Sequence, residues 1–242
     1  MRDYKQEFES RVAFIKKALA DAHAAGVIYG NSGGKDCTLV GILCRAATEN
    51  ILSVIMPCGT AANFGSDRTD ALAAAEKFGI PTVSVDLTST KAQLITGIPE
   101  EIKLSASAMS NIAPRLRMTT LYAIGQSMNY LVAGTGNRNE LYMGYFTKWG
   151  DGACDFNPIA DLSVAEVYEF LAYLGAPESI IKKAPSAGLY EGQTDEGEMG
   201  VTYAEVDQYM TDGTGKLESV AIISRYHNNS EHKRRMPLKY GE

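Results

Sequence analysis

Four short, almost unbroken apolar runs punctuate the first half of the chain: GVIYG at 26–30, ILSVIMP at 51–57, PTVSVDL at 81–87 and YLVAG at 130–134. Strands with one wet face alternate apolar and polar residues. Continuous apolar runs belong to parallel sheets covered on both faces. The segments between them supply the cover. Residues 36–48, 67–79 and 111–129 read as helices, the second closed by Gly79 and the third tolerating Pro114 near its first turn. Strands separated by helices predict an α/β fold, a parallel sheet with helices on both faces joined by right-handed crossovers. Ligands of such sheets collect at the carboxyl ends of the strands. The glycine turns after Tyr29 and after Ala133 both fall there.

The rest of the chain flanks this frame. The first 25 residues place Phe8, Val12, Ile15 and Leu19 at helical spacing, an amphipathic helix that is charged from its start and unlike a signal peptide. Residues 134–161 are rich in Gly, Asn, Asp and aromatics, with one short helix near 138–142. Residues 163–175 read as a helix opened by a capping box, Ser163 with Glu166 three positions on. A polar, glycine-bearing stretch at 184–200 reads as a loop able to close over a ligand, and helices at 202–211 and 215–227 lead to the terminal HKRRMP.

Composition narrows the function classes. With 242 residues and 45% hydrophobic content, one domain over 1–242 with a substantial core is expected. A formal charge of -6 gives no general attraction to nucleic acid, and no stretch approaches a membrane span. The four cysteines (37, 44, 58 and 154) form no C-x-x-C pair and no His stands at ligand spacing, which argues against zinc and against a disulfide scaffold. A reducing, cytoplasmic setting follows as the expectation.

The chemistry concentrates in SGGKD, 32–36. Ser32, Gly33 and Gly34 leave backbone N–H groups uncluttered at the start of a helix, where they can surround an anion. Asp36 is the informative residue. A carboxylate beside a phosphate nest repels the ligand unless a cation lies between them, so Asp36 is either the carboxylate of a bridging Mg²⁺ or a plain helix cap. Elsewhere the residues alone are ambiguous. Glu140 reads as a surface acid, Arg115 and Arg117 as a solvated helix face, and His232 and Lys233 as a basic tail. Tyr145, Phe146 and Trp149 could wall an aromatic pocket or fill core.

The loop resembles the pyrophosphate loop S-G-G-x-D-S of the N-type ATP pyrophosphatases. From about residue 26 to 237 the chain is similar to one family among them, the ammonia-dependent NAD synthetases. The stretches that carry the likeness are NIAPRLRM, LVAGTGNRNE, GYFTKWGDGACDFNPIADL, KKAPSAGLYEGQTDE and EHKRRMP. The resemblance implies a five-stranded parallel sheet (an adenine nucleotide hydrolase-like, Rossmann-like core) with further C-terminal helices; a fifth strand is not visible in the sequence. It implies a ligase that adenylates the nicotinate carboxylate of deamido-NAD with ATP and then amidates it with ammonia. It also implies a homodimer.

By the matching motifs, ATP falls to Gly30, Asn31, Ser32, Gly33, Gly34, Lys35, Asp36, Cys37, Thr135 and Ser186, and Mg²⁺ to the carboxylates Asp36 and Glu140. The dinucleotide falls to Arg115, Lys148, Asp155, His232 and Lys233. No cysteine sits in an amidotransferase setting, so free ammonia is the expected nitrogen source. Three positions depart from the pattern. Cys37 stands where the loop ends in serine, and the helix start could lower its thiol pKa. Val164 stands where the family has an ATP-binding lysine, a charge that Lys35 could partly replace. Pro114 stands where alanine is usual. These leave open an adenylating ligase for another carboxylate, or a nucleotide-binding relative with little catalysis.

Overall fold

The computed structural model describes residues 2–59, 64–183 and 194–241. A four-stranded, all-parallel sheet of order β3-β2-β1-β4 is built from β1 (Gly26–Gly30), β2 (Ile51–Ile55), β3 (Thr82–Ser84) and β4 (Tyr130–Val132). The four apolar runs are these strands, each ending earlier than or where its run does. A fifth strand is not formed among the described residues. A single parallel bridge, Ala133 to Phe156, stands in its place beyond β4. Residues 134–155 lie between those partners, too irregular to lay a longer ladder.

Both faces of the sheet are covered, as the strand composition requires. On one face Val27 and Tyr29 pack with Ile15 of α1 (Tyr4–Asp21), Leu39 and Leu43 of α2 (Lys35–Ala47), and the carboxyl-terminal Val167, Phe170 and Leu171. On the other, Ile28, Val54 and Val132 meet Met118 and Leu121 of a long helix. Val27 and Ile28 point to opposite faces and both are fully buried, so β1 has no room for a polar side chain.

The helices between and after the strands are α3 (Ser66–Lys77), α4 (Thr88–Thr96), α5 (Ala106–Ser110), α6 (Ile112–Met128), α7 (Arg138–Met143), α8 (Val164–Tyr173), α9 (Glu178–Ile181), α10 (Asp195–Met199), α11 (Tyr203–Asp212), α12 (Leu217–Asn229) and α13 (Glu231–Arg234). The predicted stops are where chemistry put them. Gly79 follows α3 at φ +63, a left-handed residue that glycine adopts without strain. Ser163 and Glu166 exchange their capping-box bonds at the start of α8. Helices α4, α5, α9, α10 and α13 are not anticipated by the sequence pattern; most are one or two turns, too short to show periodicity. The stretch expected to be loop at 184–200 contains α10; its first ten residues, Ser186 included, lie outside the described residues.

A buried arginine ties the amino terminus to the far half of the chain. Arg11, 8% exposed, donates to the Pro158 carbonyl, to both Asp161 oxygens and to Glu7. Arg2 adds bonds to Asp161 and Glu166. Burial by itself raises the Asp161 carboxyl, but Arg11 and Arg2 outweigh it and hold the group below its ordinary value. Arg11→Ala should lower stability at neutral pH by about 2 kcal/mol, because a buried carbonyl loses its donor along with the ion pairs. A depressed carboxyl contributes stability above its unfolded pKa and loses it as pH falls. Thermal melts should therefore show the deficit at pH 7 and a narrower one below about pH 4.

Candidate active site

β2 and β3 extend the sheet to one side of β1, whereas β4 lies on the other. The connections therefore leave the carboxyl ends of β1 and β4 in opposite directions, and a crevice opens between them, the switch point at which open α/β sheets bind ligands. The loop after β1 carries residues 30–34 and the loop after β4 carries 133–137. Together they line a cavity of about 940 Å³.

The first loop is shaped from within. Asn31 is buried; its amide donates to the Ser53 hydroxyl (3.1 Å) and the Ala71 carbonyl (3.2 Å), and its Oδ1 accepts from the Gly33 N–H (3.1 Å). Gly33 takes φ +75, and a Cβ there would lie 2.2 Å from the Asp67 carbonyl oxygen. α2 then opens at Gly34 without any side-chain cap, so Asp36 in its first turn is not a capping residue. Its carboxylate instead faces the cavity, with Oδ2 2.7 Å from the Lys35 ammonium.

The second loop brings the other acid. Asn137, fully buried, caps α7 and makes three bonds at once. Its Oδ1 accepts from the Glu140 N–H (3.1 Å), its own N–H donates to Glu140 Oε2 (3.0 Å), and its Nδ2 donates to Asp36 Oδ1 (3.3 Å). One asparagine thus fastens both carboxylates. Burial, then the Asp36 charge, pushes the Glu140 carboxyl well above the ordinary carboxylate value, while Lys35 works in the opposite sense. Burial alone pulls the Lys35 ammonium down, but Asp36 and then Glu140 outweigh it and the net shift is upward.

Cys37 is packed away at the base of the loop. Its Sγ is buried, donates to the Gly34 carbonyl (3.2 Å), and lies 3.4 Å from the Ser32 hydroxyl. Burial raises its pKa, so the helix start does not activate the thiol. Val164 is buried with Met143, Met199 and Tyr203, its N–H donating to Asn139 Oδ1 (2.9 Å). Pro114 is buried at the third position of α6, where no intrahelical donor is lost.

The five residues assigned to a dinucleotide divide. Arg115, Lys148, His232 and Lys233 gather on one rim: Arg115 Nε donates to the Lys148 carbonyl (3.2 Å), and Lys148 Nζ to the His232 carbonyl (2.7 Å). Lys233 Nζ donates to the carbonyls of Gly144 (2.8 Å) and Phe146 (2.7 Å) and is the one of these that lines the cavity. Asp155 stands apart, accepting from the Val132 N–H (2.7 Å) and the Tyr122 hydroxyl (3.1 Å) at the edge of the sheet. Tyr145 and Phe146 line the cavity, whereas Trp149 is exposed.

Several lining residues escape sequence reasoning. Arg117 lies two positions beyond Arg115, on the opposite side of α6, and faces the cavity. Lys183 pairs with Asp67 (2.9 Å) and Asp70 (3.0 Å) of α3. Asn137 could have been found, since Asn with Glu three residues on is a capping-box signature.

Comparison with known proteins decides what kind of crevice this is. The NAD synthase family model matches residues 7–237. The chain belongs to the NAD synthase family. An NH(3)-dependent NAD(+) synthetase from Carboxydothermus hydrogenoformans is 44% identical over 243 residues, 97% of each chain. The NMN synthetase structure from Francisella tularensis superposes with a TM-score of 0.94 at 34% identity, covering all of both chains. The NH3-dependent NAD synthetase of Campylobacter jejuni gives 0.80 at 29% identity over 99% of each. NAD synthases are ATP-dependent ligases, and their Rossmann-like α/β fold with a parallel sheet is the one described above, here with four strands. Among the described residues no helix is long and apolar enough to cross a membrane, and no group of three or more His, Cys, Asp or Glu could hold a metal.

Proposed function

We propose that this chain, acting as one catalytic unit, joins ammonia to the nicotinate carboxylate of deamido-NAD at the expense of ATP. The observation that carries the reading is the meeting of the two switch-point loops, with Asn137 bonded to both Asp36 and Glu140. The loop N–H groups of residues 32–34 and the amino terminus of α2 receive the ATP phosphates. Lys35, Thr135 and Ser186 contribute to the same ligand. A carboxylate is a poor acyl donor until one oxygen becomes a good leaving group. The nicotinate oxygen attacks the α-phosphorus, the bond to the bridging β-phosphate oxygen breaks, and pyrophosphate departs. Ammonia then attacks the acyl carbon of the adenylate, the bond to AMP breaks, and a proton leaves the new amide nitrogen.

Asp36 and Glu140 fit Mg²⁺. They are two hard carboxylates forced together with an unfavourable charge balance, and Mg²⁺ normally takes one or two protein carboxylates with substrate phosphates and water completing its shell. The ion would neutralise charge that grows on the departing pyrophosphate. Arg115, Lys148, His232 and Lys233 on the rim take the dinucleotide, with Asp155 contributing from the edge of the sheet, and the site is completed across a homodimer.

The test is to supply ATP, Mg²⁺, ammonium and deamido-NAD, following NAD, AMP and pyrophosphate by mass spectrometry. One NAD per AMP is expected; ATP binding without turnover would reduce the chain to a nucleotide binder. A second reading has its own support, the 0.94 superposition on the Francisella NMN synthetase structure, closer than that on the Campylobacter NAD synthetase. Nicotinate mononucleotide offered alongside deamido-NAD separates the two by kcat/KM. Sedimentation at twice the chain mass checks the dimer.

A further inference from the structure

Lys35 is 7% exposed, an uncommon place for an ammonium. Its Nζ lies 2.7 Å from Asp36 Oδ2 and 5.9 Å from the centre of the Tyr168 ring, and its charge acts favourably on Glu140. Desolvating such a group is tolerable only with anions beside it, and here it has the two acids of the site. The α8 side of the cluster adds no cation, since Val164 lies in an apolar cluster and Tyr168, one turn on, offers only its ring.

Resting on the reading of Asp36 and Glu140 as metal carboxylates, we propose that Lys35 is the resident counter-ion of that pair in the nucleotide-free protein. It closes the pair to free divalent cations and transfers to the phosphates when the metal–nucleotide complex enters. The charges account for the order. Two carboxylates alone are matched to a dication. Two carboxylates with an ammonium carry a single net negative charge, and a free dication must break the Lys35–Asp36 bond with nothing to receive the lysine. ATP supplies what is missing, since its phosphates complete the metal shell and give the ammonium a new anion. The metal is admitted with the nucleotide and not before it.

The experiment is a titration of nucleotide-free protein with Mn²⁺, free Mn²⁺ being read by its electron paramagnetic resonance signal. Wild type should bind Mn²⁺ at least tenfold more weakly alone than with a non-hydrolysable ATP analogue; equal affinities would overturn the proposal. Lys35→Met should bind free Mn²⁺ at least tenfold more tightly than wild type while losing at least tenfold in affinity for the metal–ATP complex. A merely structural lysine would weaken both. Lys35→Arg, which keeps the cation, should behave toward Mn²⁺ as wild type does. A folded Lys35→Met or Lys35→Gln with unaltered or weaker Mn²⁺ binding sinks the counter-ion. If the gained Mn²⁺ site survives adding Glu140→Gln to Lys35→Met, the fault lies instead in reading the acid pair as metal ligands.

Discussion

Glu140→Gln is expected to lower the rate of ATP-dependent amidation by about 1,000-fold, on the order of 4 kcal/mol of transition-state stabilisation. It should leave the fold intact. The substitution separates the two things this side chain does. Glu140 closes a capping box with Asn137, and glutamine is as competent as glutamate at that position of the box. Only the charge is lost. Because Glu140 is held against its preference by burial and by Asp36, the neutral variant should melt no lower than wild type and is expected to melt higher. Initial rates of AMP release with a parallel thermal melt check both halves. Activity within tenfold of wild type would make Glu140 a helix cap and nothing more. Glu140→Ala, which removes box and charge together, should lose activity and stability alike.

The second large effect is expected at Gly33. With φ at +75, an alanine there meets a backbone penalty of about 1–2 kcal/mol before any contact is considered. Its Cβ would then lie 2.2 Å from the Asp67 carbonyl oxygen and 3.0 Å from the Ala71 N–H, both backbone atoms of α3. Neither can rotate away, so the loop and helix must separate. Gly33→Ala should therefore reduce affinity for ATP by at least 100-fold and lower stability by about 2–4 kcal/mol. The neighbouring glycine supplies the contrast. Gly34 sits at φ -88, and its nearest obstacle is the rotatable Ser32 hydroxyl at 3.3 Å. Its alanine variant should melt within about 1 kcal/mol of wild type. Calorimetric titration with ATP and chemical unfolding of Gly33→Ala decide the matter; near-normal binding would show that the loop does not hold its ligand in the conformation described.

What could be read from the chain follows from how local each signal is. Strands buried on both faces declare themselves as unbroken apolar runs, and helices such as α8 declare their start through Ser163 and Glu166. Strand order is a matter of which edge β4 chooses, and no residue in 130–132 states it. The fifth strand promised by resemblance failed for a related reason: among the described residues the chain beside β4 forms a single bridge, Ala133 to Phe156, and one bridge is not a ladder. At the site, Asp36 was legible because a carboxylate next to a phosphate loop needs a reason. Arg117 was not legible, because which of two arginines faces inward depends on the rotation of α6 against the sheet. Whether the helix start or burial would govern the Cys37 thiol was not legible either, because burial depends on how α2 packs; in the fold burial dominates.

The bond between Asn137 and Asp36 spans 101 residues of chain. During synthesis the phosphate loop therefore emerges long before the acid that completes it, and β1 waits with one edge unpaired until residues 130–132 leave the ribosome. A nascent chain ending near residue 130 carries the anion cradle without Asn137 to hold Asp36, and leaves one edge of β1 open. Such an intermediate is exposed to mispairing for as long as elongation lasts, on the order of 5–20 s for each hundred residues at about 5–20 residues per second. The arrangement that places the site in a switch-point crevice also makes it one of the last features of the molecule to exist.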